Sequence, residues 1–444
     1  MYTSRRHSSS RWLMLFITIV FLSTCAIIFL AFTSTSFNRR VQALPYYVST
    51  YMNKFRPNVQ MPAPPEVSAI APEILLEASS GGEVPGQLND TPAYFNEEAL
   101  NPTEPVNEVS NPVVLIQSHI LSPAPVASQI ALTGITHQWQ TWNNCGPTTI
   151  SMNLSYYGRP ETQVETAQFL KPNQEDKNVS PEELAAYART LGFEAIVGAG
   201  GDLNLLKRLL SNGFPVIVEF WSSPEDNGGL GHYGLFTGYD EAGSYFVAED
   251  SLNGSGIQVP MRQFDMDWQV FNRTYIIAYP PDQTALVYAI LGQDMIEQRM
   301  FEHALVTAQQ EAASNPNNAY GWFNIGTNYA RLEQPEQAAS AFDQARRLGL
   351  PYRMLWYQFD IFKVYLAVGR YQEVIDLATA TLDATGGLEE LFYYRGLALQ
   401  ATGQIKMADD DFRAALDYNP NFSPAAEALA ALDSSFPADS VDTN

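Results

Sequence analysis

One cysteine in this chain stands where a thiol could be made into a nucleophile. Only two cysteines occur in the 444 residues, and Cys145 is the one beyond the first thirty. It lies in Gln140-Thr141-Trp142-Asn143-Asn144-Cys145-Gly146-Pro147-Thr148-Thr149. A thiol attacks as thiolate, and its pKa falls at a helix N-terminus beside a histidine that can carry charge. Pro147 suits the first turn of a helix, where its missing N–H does no harm, and Ile150, Leu154 and Tyr157 follow at helical spacing. The spacing predicts a helix that starts at Cys145. Most free cysteines are small core residues, but Asn143, Asn144, Gly146 and Pro147 give this one no apolar neighbours.

The chain has five histidines, so the search for a base is short. His7 precedes an apolar run, His119 lies in a linker, His303 falls among helical repeats, and His137 has no obvious orienting partner. His232 sits in Gly228-Gly229-Leu230-Gly231-His232-Tyr233-Gly234-Leu235-Phe236-Thr237-Gly238-Tyr239, which reads as a buried strand ending at a turn. A second strand, Tyr245 to Ala248, runs into Glu249-Asp250-Ser251. An antiparallel pair turning between Asp240 and Gly243 would bring Asp250 beside His232, where it could hold the imidazole in the tautomer that accepts the thiol proton. Gln140 is the natural side-chain donor to an oxyanion, with the Cys145 N–H as its companion, and Gln138 is the competing candidate.

These residues resemble the cysteine peptidase family 39-like domains, relatives of the double-glycine leader peptidases in the papain-like superfamily. Gln140 through Cys145-Gly146-Pro147, Gly231-His232-Tyr233 with Gly238-Tyr239-Asp240, and Asp250 carry the likeness, which extends over residues 128–281. The resemblance implies a papain-like α+β fold in which Gln140, Cys145, His232 and Asp250 act as oxyanion donor, nucleophile, base and orienting carboxylate. Two features depart from the pattern. The family's Gln can lie one residue further from the cysteine, and its Asp is often followed by Pro where this chain has Ser251. Leader peptidases proper are fused to ATP-driven exporters, yet the chain has no Gly-x-x-x-x-Gly-Lys loop, so bacteriocin processing is not implied.

Elements able to position the site are written between Cys145 and Tyr279. Ser180-Pro181-Glu182-Glu183 is a capping box with proline at the first helical position, followed by Leu184, Tyr187 and Leu191. Asp202 can cap a helix whose Leu205, Leu206, Leu209 and Leu210 face a core. Phe214 to Phe220 reads as a central strand with Pro215 near its start, and Ile257–Val259 and Thr274–Tyr279 are further strand candidates.

Outside this region the chain changes character. After a basic tail, 1–11, residues 12–33 carry no charge and are long enough for a single transmembrane helix. Slight positive-inside bias favours a cytoplasmic N-terminus and an extracytoplasmic bulk. Residues 34–127 read as a flexible linker; from Pro57 to Pro125 it is rich in proline and acidic residues and has no Lys or Arg. Between 285 and 432, Gly326, Ala338, Phe342 and Ala345 recur 70 residues on as Gly396, Ala408, Phe412 and Ala415. That register resembles tetratricopeptide repeats, 34 residues each, and predicts an all-α solenoid of four units starting near Ala285 with a capping helix, before a tail at 433–444.

A formal charge of −23 argues against nucleic-acid partners. No residue spacing calls for a metal or another cofactor. The expectation is a membrane-anchored cysteine peptidase acting on a peptide or protein, with the repeats available to a protein partner. Alternatives are a tethered scaffold without catalysis, or acyl transfer by the same Cys-His site.

Overall fold

The computed structural model describes residues 61–64, 123–173, 176–222 and 230–435. The apolar run 12–33 and the 433–444 tail beyond Ser435 lie outside the described residues. Among the described residues no helix is long and apolar enough to cross a membrane.

Two units share the chain, and the first is an antiparallel sheet. Its strands are β1 (Gln129–Ala131), β2 (Glu194–Gly198), β3 (Val216–Ser222), β4 (Leu230–Asp240), β5 (Tyr245–Asp250), β6 (Gly254–Pro260) and β7 (Tyr275–Tyr279), in the order β2-β7-β3-β4-β5-β6. β3 and β4 are the central strands, and β4 is buried along nearly its whole length. Pro215, which lacks an N–H for the ladder, stands just before β3. β1 continues the edge of β4 where β3 ends, with Ala131 opposite Gly238. Any Cβ at Gly238 would run into the Ile130 carbonyl, so a glycine is required there.

Helices cover both faces of the sheet. On one, α1 (Cys145–Ser155), α2 (Gln163–Leu170) and α3 (Pro181–Thr190) surround Ile150, Leu154, Leu184, Ile217 and Leu235. On the other, α4 (Leu203–Ser211) and α5 (Met261–Gln269) enclose Phe236, Phe246, Phe264 and Trp268. The expected caps form: Ser180 and Glu183 make the reciprocal box at α3, and Asp202 accepts from the Leu205 N–H at α4. Each such cap is worth about 1 kcal/mol, and burial of each α4 leucine contributes about 1.5–3 kcal/mol more.

The second unit is helical: α6 (Thr284–Leu291), α7 (Glu297–Ser314), α8 (Ala319–Arg331), α9 (Pro335–Arg347), α10 (Asp360–Ala367), α11 (Tyr371–Thr385), α12 (Glu389–Ala401), α13 (Ile405–Tyr418) and α14 (Ser423–Ser435). Gly326 and Gly396 let the rings of Phe342 and Phe412 close on the neighbouring helix; an added Cβ would come within 2.6 Å of either ring. The start differs from the expected first repeat near Ala285. α6 buries Val287, Ile290 and Leu291 in the core of the sheet unit, because its apolar residues meet α4 before they can meet α7.

The units are joined by a common core and a polar seam. Trp221, Val270 and Phe271 of the sheet unit pack with Trp322, Leu355 and Phe362 of the helices. Asn272 and Asn328 exchange amide hydrogen bonds of 2.7 and 3.1 Å, and Asn178 donates to Glu390 at 2.8 Å. Part of the expected linker is also placed: Met61 packs on the helical core and Arg346 donates to the Pro62 carbonyl at 2.5 Å.

Candidate active site

Cys145 opens α1, and its thiol is the meeting point of a helix end and a strand. The Gly146 N–H in the first turn, the Tyr233 N–H on β4 and the His232 ring each favour the ionised sulfur. The Tyr233 carbonyl accepts from Thr149 Oγ1 at 3.2 Å, which ties α1 to β4 beside the thiol. Burial raises the thiol pKa, but the imidazole and the two N–H donors outweigh it, so the pKa lies below its ordinary 9.0.

His232 is held by the sheet. It stands opposite Phe220 in the β3–β4 ladder, and the Phe220 ring meets the imidazole edge-on at 5.6 Å. Its Nε2 is 3.1 Å from Asp250 Oδ1, an ion-pair contact off the line of a straight hydrogen bond, which leaves Nδ1 for the thiol. Both side chains are almost wholly buried. Burial alone would lower the imidazole pKa; the Asp250 carboxylate, with help from Cys145, raises it to about 10. Asp250 is held below the usual carboxylate range: burial pushes it up, but His232 and the Leu252 and Asn253 N–H groups prevail. The Asp250 carboxylate thus favours the imidazolium, and the imidazolium in turn favours the thiolate.

The turn after β5 serves a second side chain. The Gln140 N–H donates to the Ser251 carbonyl at 2.9 Å, and the Ser251 hydroxyl donates to Gln140 Oε1 at 2.8 Å. Gln138 is committed elsewhere, its amide oxygen accepting from the Gln163 N–H at 2.9 Å. Of the two glutamines, Gln140 is thus the one bound to the turn that holds Asp250.

Several residues that position this loop escape a reading of the sequence. Gln163 accepts from the Thr141 N–H at 2.8 Å and donates to the Trp139 carbonyl at 2.6 Å. Lys171, buried, donates to the Asn143 carbonyl at 3.1 Å and the Asp176 carbonyl at 2.6 Å. Asn143 itself has φ +54°, a left-handed conformation that asparagine tolerates. The Thr162-x-x-Glu165 box at α2 is the one sequence signal that could have located Gln163. His137 does have a partner, Glu249, at 2.8 Å, on the opposite side of β5 from Asp250.

The helical unit reaches the site as well. The Tyr357 ring packs on Gly231, where an added Cβ would fall 3.1 Å from it. Burial pushes the Glu219 carboxyl well above the usual range, with Glu182 and Cys145 adding to the effect. Among the described residues no three His, Cys, Asp or Glu side chains could hold a metal ion.

Residues 125–276 match the Peptidase_C39 like family, so the chain contains a peptidase C39-like α+β domain, followed by the helical region. No curated protein matches it. Among solved structures it is similar to a putative C39-like peptidase from Bacillus anthracis, at 19% identity over 34% of this chain and 98% of that one, with a TM-score of 0.30. It is also similar to a double glycine motif protease from an AMS/PCAT transporter, in complex with the leader peptide, at 21% identity over 34% and 98% of the chains (TM-score 0.26). A third is MamA, at 15% identity over 33% and 84% (TM-score 0.28).

Proposed function

We propose that the chain is a cysteine peptidase. His232 holds the proton that Cys145 has given up, and the thiolate attacks a peptide carbonyl. The tetrahedral oxyanion is met by the Cys145 N–H and the Gln140 amide. His232 then returns its proton to the leaving amine as the C–N bond breaks, and water releases the acyl group from sulfur. Asp250 keeps the imidazole oriented and charged. The observation that carries this reading is the buried His232–Asp250 pair, Nε2 to Oδ1 at 3.1 Å, with the imidazole lowering the pKa of Cys145. A buried histidine is neutral unless a carboxylate charges it, and a thiol stays protonated unless a cation faces it.

The remaining parts follow from this centre. The peptidase unit corresponds to 128–281, and the helices to 432 read as tetratricopeptide repeats, supported by the 70-residue recurrence and by the glycine-phenylalanine contacts it aligns. Such an array recruits a peptide or protein partner to the site it borders at Tyr357. Residues 12–33 would tether the enzyme to a membrane with its bulk outside the cytoplasm.

The test is the pH profile of iodoacetamide labelling of Cys145, read by mass spectrometry, in wild type and His232→Ala. The expected result is a wild-type rate that stays high well below pH 8 and a variant that reacts only at alkaline pH. An inert thiol, or one indifferent to the substitution, would leave a binding scaffold in place of an enzyme.

A further inference from the structure

We infer that Ser251 is a positioning residue for acyl transfer: it sets which way round the Gln140 amide stands and so aims its NH2 group at the oxyanion. The inference rests on the peptidase reading above and adds to it a residue at which the chain departs from the related domains, where proline often follows the aspartate.

A glutamine side chain offers an oxygen on one side and an NH2 on the other, and only the NH2 can stabilise a developing negative charge. Gln140 lies on an irregular stretch, so neither a helix nor a strand fixes its side chain. Ser251 does. The residue is 1% exposed, and its hydroxyl lies 2.8 Å from Gln140 Oε1, with no other acceptor among the described residues. A buried O–H without another acceptor must donate there, because leaving it unmade costs about 1–3 kcal/mol. The amide oxygen is then turned to Ser251 and the NH2 away from it, where it meets no protein acceptor among the described residues. The backbone bond from the Gln140 N–H to the Ser251 carbonyl, 2.9 Å, fixes the same two residues at a second point. A proline at 251 would leave that carbonyl contact but offer no hydroxyl.

The geometry couples two functions in one turn. Asp250 faces His232 and the next residue faces Gln140, so the segment from Asp250 to Asn253 aligns both the base and the oxyanion donor. Asp250 Oδ1 stiffens it by accepting from the Leu252 and Asn253 N–H groups, both at 2.8 Å. The consequence is selective. Alkylation by iodoacetamide displaces iodide in one step and forms no oxyanion, so it depends on the thiolate alone. Acylation by 4-nitrophenyl acetate passes through a tetrahedral oxyanion before the sulfur–acyl bond is complete and 4-nitrophenolate leaves, so it also depends on the amide.

The experiment measures both rates on the full chain for wild type, Ser251→Ala, Ser251→Thr, Gln140→Ala and the Ser251→Ala/Gln140→Ala double variant. Loss of an oxyanion donor slows acylation by about 10²–10³-fold, and misorienting it should cost a smaller part, about 10-fold. Expected are slower nitrophenolate release in Ser251→Ala with iodoacetamide labelling at the wild-type rate, recovery in Ser251→Thr, and no further loss when Ser251→Ala is added to Gln140→Ala. If Ser251→Ala acylates like wild type, or costs the same factor with and without Gln140, the positioning role is wrong while the peptidase reading stands. If wild-type Cys145 releases no nitrophenolate, both fall together.

Discussion

Replacing Asp250 by asparagine removes the charge that faces His232, together with the Oδ2 acceptor of the Asn253 side-chain amide. Asparagine keeps an Oδ1 that can accept from the Leu252 and Asn253 N–H groups, so the turn survives. What changes is the imidazole. In the native site its pKa is raised from 6.5 to about 10 against the effect of burial, with Asp250 the main opposing influence. Without that carboxylate, a ring only 2% exposed falls below 6.5, because burial disfavours its charged form. Cys145 then faces a neutral ring, and burial carries the thiol toward or above its ordinary 9.0. Below its pKa a thiol loses thiolate about tenfold for each pH unit, so the variant should label at least about 10-fold more slowly than wild type at pH 6.5. The assay is the iodoacetamide rate constant between pH 5 and 10, with both proteins checked by near-UV circular dichroism. The wild-type profile should be flat through neutrality, and the Asp250→Asn profile should climb with pH and approach wild type only at the alkaline end. Superimposable profiles would show that the 3.1 Å contact does not charge the imidazole.

The seam between the units makes the fold sensitive to alkali. Burial raises Asp176 to about 6, Glu183 to about 7, Glu389 to about 8, and Glu390 well above the usual range, with Lys171 and Lys177 opposing the rise at Asp176. Each pKa is higher folded than unfolded, so the associated stability is complete below about pH 4 and is lost as pH rises through 6 to 8. The melting temperature should fall by several degrees from pH 5.5 to 8.5, and Glu389→Gln should flatten the slope; a melting temperature constant over that range would contradict the assignment. Packing in the helices is tested by Gly396→Ala, whose methyl meets the Phe412 ring at 2.6 Å. Overpacking of this kind costs about 1–3 kcal/mol, and thermal melting should show a loss that shrinks in a Phe412→Leu background.

Local chemistry made much of this protein legible. Capping at Ser180 and Asp202, the leucine stripe of α4, the buried run of β4 and the proline near Cys145 are local signals, and each predicts its element from a few adjacent residues. The strand pair turning between Asp240 and Gly243 does bring Asp250 to His232, but only after a register shift between Phe236 and Gly238, which the turn residues do not announce. β1 and β2 were not legible, being short edge segments defined by the strands they join. Nor was α6, whose apolar residues suit a repeat and the sheet core equally well. The tertiary structure alone decided which glutamine shares the turn with Asp250: Gln138 and Gln140 are both plausible by spacing, and only long-range contacts with Gln163 and Ser251 distinguish them. The same holds for Lys171 beneath the Asn143 carbonyl and Tyr357 against Gly231. Hydrogen bonds between residues distant in sequence depend on how whole elements pack, and no local pattern records that packing.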